Sequence, residues 1–362
     1  MGNYYYAIGA MSGTSADGID ISLIKTNGLD YFEPLLSISI SYDSNLRKKI
    51  ISFSKSFNDK NTHFNIILLE KLITNKYIEG ILKLIKKIKI KLVDIDVIGV
   101  HGQTIFHDPK NSISLQLVNS KKISDYFKIK VISNFRKKDI LNGGEGAPLV
   151  PIFHAVLKKY LNIKGSAMFI NIGGISNITY VSSSGCLTAF DTGPGMCLLD
   201  DYVSRNTANQ FDINGNFSKK GIVDYNILKK KLSDKFFYSK YPKSLDRNYF
   251  SIKSYGNLSL YDACATISMF TTISIFQAII NLDKDCRSIY LMGGGSRNLF
   301  ILENLSNLLN TKVLSINSLK LSDNYIESQA FAYLGVRHLK KLPISYPKTT
   351  GVRKAMLGGE VF

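Results

Sequence analysis

Met11-Ser12-Gly13-Thr14-Ser15-Ala16-Asp17-Gly18-Ile19-Asp20 interrupts one apolar run, Tyr4 to Met11, and hands over to another, Ile19 to Ile24. Two strands joined by a turn of small, hydroxylated and acidic residues expose backbone N–H groups and hydroxyls at one sheet edge, where a phosphate or a sugar can be held. An ordinary hairpin turn draws on the same residue types. Both readings stand for this stretch taken alone, which matches neither a Walker loop nor a dinucleotide fingerprint.

Outward from the turn, Leu35 to Tyr42 alternates as a third strand, and a long helical region follows, broken near Asn58 to Asn61. Asp96 to Val100 reads as a short buried strand running into His101-Gly102-Gln103-Thr104-Ile105-Phe106-His107, and polar side chains at such a strand end tend to face a cleft. Ile129 to Ser133 is another strand, ending in Asn134-Phe135-Arg136. Next, Gly143-Gly144-Glu145-Gly146-Ala147-Pro148-Leu149-Val150-Pro151 leads into a Pro-started helix, which suits either an anion site or a domain hinge.

The second half restarts the opening pattern. Ala167 to Ile172 is a strand, Gly173-Gly174 a tight turn and Ile175 to Val181 the returning strand; Cys186 to Phe190 follows and ends at Asp191-Thr192-Gly193-Pro194-Gly195. Each half thus opens with three consecutive strands and a Gly-bearing turn, a duplication of architecture without residue identity. Lys219 to Asp234 reads as a polar helix, and Arg287 to Met292 as a strand that ends in Gly293-Gly294-Gly295-Ser296-Arg297-Asn298 before a helix from Leu299. Strand, triple glycine, helix lets a flat ring or a phosphate lie on the backbone.

The 362 residues exceed what one core usually fills, so two domains are expected, with a cleft between them as the ligand site. We place the first at 1–135, completed by 343–362, and the second at 136–342. An apolar fraction of 45% and a charged fraction of 20% describe a folded chain. The net charge of +18 raises nucleic-acid binding, but the basic residues are spread along the chain and lack interleaved aromatics, so solvated helix faces are the expectation and nucleic acid is not. Four cysteines without a C-x-x-C pair fit a reduced, cytoplasmic setting. The uncharged stretch Ala263 to Leu282 carries seven Ser, Thr, Gln or Asn residues among helically spaced apolar ones, and reads as a core helix with no membrane span.

Three glycine turns after strands, two beside acidic residues, suit a two-domain phosphotransferase. Met-Ser-Gly-Thr-Ser-Ala-Asp-Gly-Ile-Asp (11–20), His-Gly-Gln-Thr (101–104), Gly-Ala-Pro-Leu-Val-Pro (146–151), Asn-Ile-Gly-Gly-Ile-Ser-Asn (171–177), Asp-Thr-Gly-Pro-Gly (191–195) and Gly-Gly-Gly-Ser-Arg-Asn (293–298) together resemble the anhydro-N-acetylmuramic acid kinases in order and spacing, end to end. The resemblance implies an α/β, two-domain actin-like (ribonuclease H-like) ATPase fold with an interdomain cleft, and a role in cell-wall recycling. It implies that 1,6-anhydro-N-acetylmuramic acid, ATP and water become N-acetylmuramic acid 6-phosphate and ADP. It also implies a homodimer. Two further readings are a kinase of a related amino sugar and a catalytically weakened nucleotide-binding protein of the same fold.

By the same resemblance, Asp191 matches the family's catalytic aspartate, expected to deprotonate the water; capping the following helix is the other reading. Gly13, Thr14, Ser15, Ala16, Asp17, Gly18, Ile19 and Asp20 match the ATP-phosphate loop. Asp17 and Asp20 either orient waters on Mg²⁺ or cap the turn. Gly173, Gly174, Gly193 and Gly195 are expected at the phosphates, and Gly293, Gly294 and Gly295 at the adenosine. His101, Gln103 and Thr104 are expected to line the sugar pocket, with a hydrogen-bonded core histidine as the other reading of His101. Arg136 is a candidate for the lactyl carboxylate or for a structural ion pair. Glu327 is a second carboxylate, for positioning water. His63, His107, His154 and His338 show no ligand spacing, so no structural metal is expected. Glu145, Met196 and Asn134 depart from the family's pattern of Gln, Asn and Asp at those positions.

Overall fold

The computed structural model describes residues 3–13, 15–55, 62–247, 249–319 and 321–362. Its chain divides into two compact units, 1–162 with 324–362, and 163–323.

In the first unit β1 (Tyr5–Ser12), β2 (Gly18–Thr26) and β3 (Phe32–Ser41) form an antiparallel meander, continued on the β1 side by parallel β4 (Val97–Asp108) and β6 (Val131–Ser133), with β5 (Ile113–Leu117) antiparallel to the far end of β4. Central β1 is buried along most of its length, whereas edge strand β3 has only three of its ten residues buried, as expected for strands covered on two faces and on one. The helix Ile326–Leu339 lies on β1, β2 and β4, and the helix Thr62–Lys87 on β2 and β3. Close approach of the first helix requires glycine beneath it. A Cβ at Gly9 would strike the Ser328 carbonyl, and one at Gly99 the Phe331 carbonyl.

The second unit repeats the plan. β7 (Ala167–Ile172), β8 (Ile175–Val181) and β9 (Leu187–Pro194) form the meander, and β10 (Ile289–Met292) and β11 (Leu314–Ser315) continue it in parallel beside β7. The helix Leu260–Asp283 meets the length and hydropathy of a membrane span, yet 78% of its apolar window is buried inside this unit, as a core helix would be.

The unit boundaries correct the expected ones. The helix Pro151–Tyr160 stays with the first unit because Phe153 sits edge-on to Phe32, with ring centroids 4.9 Å apart, and packs against Tyr333 at 5.7 Å. The chain returns at Asn324 because the whole helix Ile326–Leu339 covers the first sheet. The expected helix Lys219 to Asp234 is shorter. A single 3-10 turn, Ser218–Lys220, precedes a helix at Tyr225–Leu232, and between them Gly221 presses on the Tyr261 carbonyl. The expected helix break at 58–61 lies outside the described residues.

Candidate active site

In the opening turn, burial separates scaffold from surface. Ala16 and Ile19 are in the core, and Gly18 lies so close to the Ile40 carbonyl that a Cβ would not fit. Ser15 and Asp17 are exposed and Gly13 half-buried, while Thr14 lies outside the described residues. The turn is held from below: Ser12 Oγ is 2.7 Å from the Gly18 carbonyl and 2.6 Å from Gln103 Oε1, and Gln103 Nε2 donates to the Gly13 carbonyl at 3.0 Å. Gln103 is fully buried, with both ends of its amide engaged, so it supports the opening turn; a sugar contact was expected of it. Thr104, next along β4, is half-buried.

Asp17 and Asp20 differ although only two residues separate them. Asp17 is paired with Arg47 at 2.8 Å on the surface. Asp20, on β2, accepts a hydrogen bond from Ser39, and burial raises its pKa above the ordinary carboxylate value. Glu327, in the first turn of the helix Ile326–Leu339, is also raised by burial; Arg136 pulls it back and Asp20 adds to the rise. Asp20, Glu327 and Arg136 therefore share one electrostatic neighbourhood. Arg136 donates from Nε to His101 Nε2 at 2.9 Å and from Nη1 to the Gly146 carbonyl at 2.8 Å.

Sequence reasoning missed two residues here. Asp139 is buried, accepts from the Gly146 N–H at 2.6 Å and from the Thr350 hydroxyl at 2.6 Å, and so ties the glycine stretch to the C-terminal segment. No motif marks either partner, and 211 positions separate them. Of the two readings of the glycine stretch, a hinge does not fit, because the unit ends well beyond it. Of the departures from the family pattern, Asn134 adopts φ +56°, a conformation asparagine tolerates, and donates to Glu360 at 2.6 Å.

In the second unit Asp191 lies within β9 opposite Asn177, beside a register shift in β8. Its Oδ2 accepts the Leu245 N–H at 2.8 Å, and its own N–H donates to the Lys243 carbonyl at 2.9 Å. Its position inside a strand removes the N-cap reading, since Met196 holds the N-cap of the helix Cys197–Asn206 without a side-chain bond. The N–H groups of Gly195, Met196 and Cys197 donate to the carbonyls of Gly173 and Gly174 at 3.0, 2.8 and 3.2 Å. Those three amides are spent on joining two turns. Gly193 is likewise buried against Ser274 and Phe237, which leaves Gly174 as the exposed glycine of the group.

Only one of the three later glycines faces outward. A Cβ on Gly293 would strike Asn171, and one on Gly295 would strike Ile172, with Met196 Sδ next to it at 2.9 Å. Gly294 is exposed with nothing near its missing side chain, so it is the surface on which a ligand can lie. Met196 therefore packs under the triple glycine.

A three-strand meander extended by two parallel strands on the side of its first strand is the ribonuclease H-like plan, and a chain that builds it twice has the actin-like ATPase fold. The model of the family "AnmK: Anhydro-N-acetylmuramic acid kinase" matches residues 5–362. The chain belongs to that family. It is 39% identical to the anhydro-N-acetylmuramic acid kinase of Pelagibacter ubique over 99% of this chain and 98% of that protein. It is 36% identical to the protein of the same name from Bradyrhizobium diazoefficiens, over 98% of each chain. The Zymomonas mobilis protein of that name is also 36% identical, over 98% of this chain and 99% of its own.

Proposed function

We infer that this chain is an ATP-dependent kinase that opens the anhydro bridge of 1,6-anhydro-N-acetylmuramic acid with water and phosphorylates O6, as a step in cell-wall recycling. The observation that carries the reading is the family match over 5–362. The retention of Asp191, held on Oδ2 by the Leu245 N–H, supports it.

In the reaction, an O–C1 bond forms from water as C1–O6 breaks, and O6 takes the γ-phosphoryl group as its bond to ADP breaks. Asp191 receives the water proton, and its backbone-anchored carboxylate is oriented before substrate arrives. The turn at Gly13 and Ser15 fits nucleotide phosphate binding through N–H groups and hydroxyls; in the second unit the exposed Gly174 fits a phosphate and the exposed Gly294 an adenosine. Arg136 fits the lactyl carboxylate, having donors to spare beyond those given to His101 and Gly146. Glu327 fits the positioning of water or a sugar hydroxyl.

Among the described residues no group of three or more His, Cys, Asp or Glu is placed to hold a metal ion by itself. The donor set fits a Mg²⁺ that arrives with the nucleotide, for which one or two carboxylates suffice, and Asp20 is the residue that would hold it. Bound there, Mg²⁺ supplies charge neutralisation at the transferring phosphate. A cytoplasmic location fits the four free cysteines, and a homodimer completes the reading.

The test is a coupled ADP-release assay with the anhydro sugar, run in ¹⁸O-labelled water. Sugar-dependent ADP release with label at C1 of the product is expected, and Asp191→Asn should lower kcat by about 10²- to 10⁴-fold. ATP binding without sugar-dependent ADP release overturns the assignment.

A further inference from the structure

Arg136 is fixed on two sides before any ligand arrives. One side is the Gly146 carbonyl, and that loop is itself anchored by Asp139 and by the Glu145 N–H, which donates to the Thr350 carbonyl at 2.7 Å. The other side is His101. Its Nδ1 lies 2.9 Å from the Gly102 carbonyl, which can only accept, and its Nε2 faces the Arg136 Nε–H at 2.9 Å, which can only donate. Only a neutral imidazole with its proton on Nδ1 satisfies both contacts; an imidazolium would set N–H against N–H. The ring is 2% exposed and packs on Phe331, with centroids 4.7 Å apart. Burial and the Arg136 charge both hold its pKa well below the ordinary histidine value, which agrees with that tautomer. Neither nitrogen is left for a sugar.

We infer that His101 is a positioning residue for substrate, acting through Arg136: it fixes the guanidinium so that Nη2 and the remaining Nη1 hydrogen present one planar edge to a carboxylate. This rests on the reading of Arg136 as the group that binds the lactyl carboxylate. Two physical points support it. An immobilised arginine loses more rotamer freedom than most side chains, and one already held at Nε and Nη1 loses less on binding. A neutral acceptor also leaves the arginine's charge unspent, whereas a carboxylate in the place of His101 would neutralise it. Of the carboxyl groups near Arg136, Asp139 is occupied by Gly146 and Thr350, and Glu327 is shifted toward its neutral form by burial.

The experiment compares kcat/KM for the lactyl-bearing anhydro sugar with that for the same anhydro amino sugar lacking the lactyl group, in wild type, His101→Leu, His101→Gln and Arg136→Met. The selectivity ratio should fall about tenfold or more in His101→Leu, through KM, and His101→Gln, whose amide oxygen reaches the Nε2 position, should restore most of it. Equal losses on both sugars in His101→Leu, or a folded His101→Gln that does not rescue, overturn the inference. If Arg136→Met keeps the ratio, the Arg136 reading falls and takes this one with it. If Arg136→Met loses the ratio and His101→Leu keeps it, only the positioning role falls. Long-range ¹H–¹⁵N spectra of the wild-type protein need no variant: a proton on Nδ1 of His101 is expected, and one on Nε2 overturns the inference.

Discussion

Asp200 illustrates what one buried carboxyl group costs. Its Oδ1 has no hydrogen-bond partner among the described residues, and its pKa is pushed up to about 6, first by burial and then by Asp201 and Asp212, against the pull of Arg247. Because the folded-state value lies above the unfolded one, the native state binds more protons between roughly pH 4 and 6, so the penalty is complete above that window and fades as pH falls through it. Asp200→Asn should therefore stabilise the protein by about 2 kcal/mol at pH 8 and by almost nothing at pH 4, measured by urea unfolding at both. Buried His154 works in the opposite sense. Desolvation lowers it to about 3, so the unfolded state binds the extra proton between there and roughly pH 6.5, and stability drops as pH falls across that interval. Replacing it with Gln should flatten the acid limb of a stability profile by up to about 1.4 kcal/mol per pH unit. The sequence alone shows that these residues exist, and the strand pattern around Asp191 made its place near a glycine turn legible. It does not show that Gln103 and His101, two apart on β4 across a register shift, are both buried supports.

At the level of elements, the helix Ile326–Leu339 and the sheet beneath it form one packed layer whose spacing is set by Gly9 and Gly99. Gly99→Ala would drive a methyl into the Phe331 carbonyl, and moving the helix off β4 should cost about 1–3 kcal/mol. Because Glu327 begins that helix and Phe331 supports His101, sugar KM should rise together with the loss in melting temperature, which calorimetry and kinetics on the same sample can check. Periodicity predicted most of the strands, though not Ile113–Leu117, Leu314–Ser315 or Glu360–Val361, and it predicted the core helix over Ala263 to Leu282, since an apolar stripe is a local property of the chain. It failed at Lys219 to Asp234, where a helix-compatible composition yields to the contact of Gly221 with Tyr261.

For the whole molecule, the second unit is one continuous segment, 163–323, whereas the first needs both ends of the chain. A fragment of residues 163–323 should fold alone, with cooperative melting by circular dichroism. A fragment of 1–162 should not, because it lacks the helix over β1, β2 and β4, the Glu360–Val361 pairing with β6 and the Thr350 bond to Asp139. A cooperative transition in the 1–162 fragment would sink that reasoning. The sequence by itself determined the alternation of strands and helices, the repeated three-strand opening and the ordered glycine motifs that mark the kinase family, because each is written in neighbouring residues. Only the tertiary structure decided that the chain crosses at 162 and 324, that Gly293 and Gly295 pack while Gly294 stays open, and that His101 serves Arg136. Those outcomes depend on which distant groups compete for the same space and the same hydrogen bonds, and no local pattern encodes the winner.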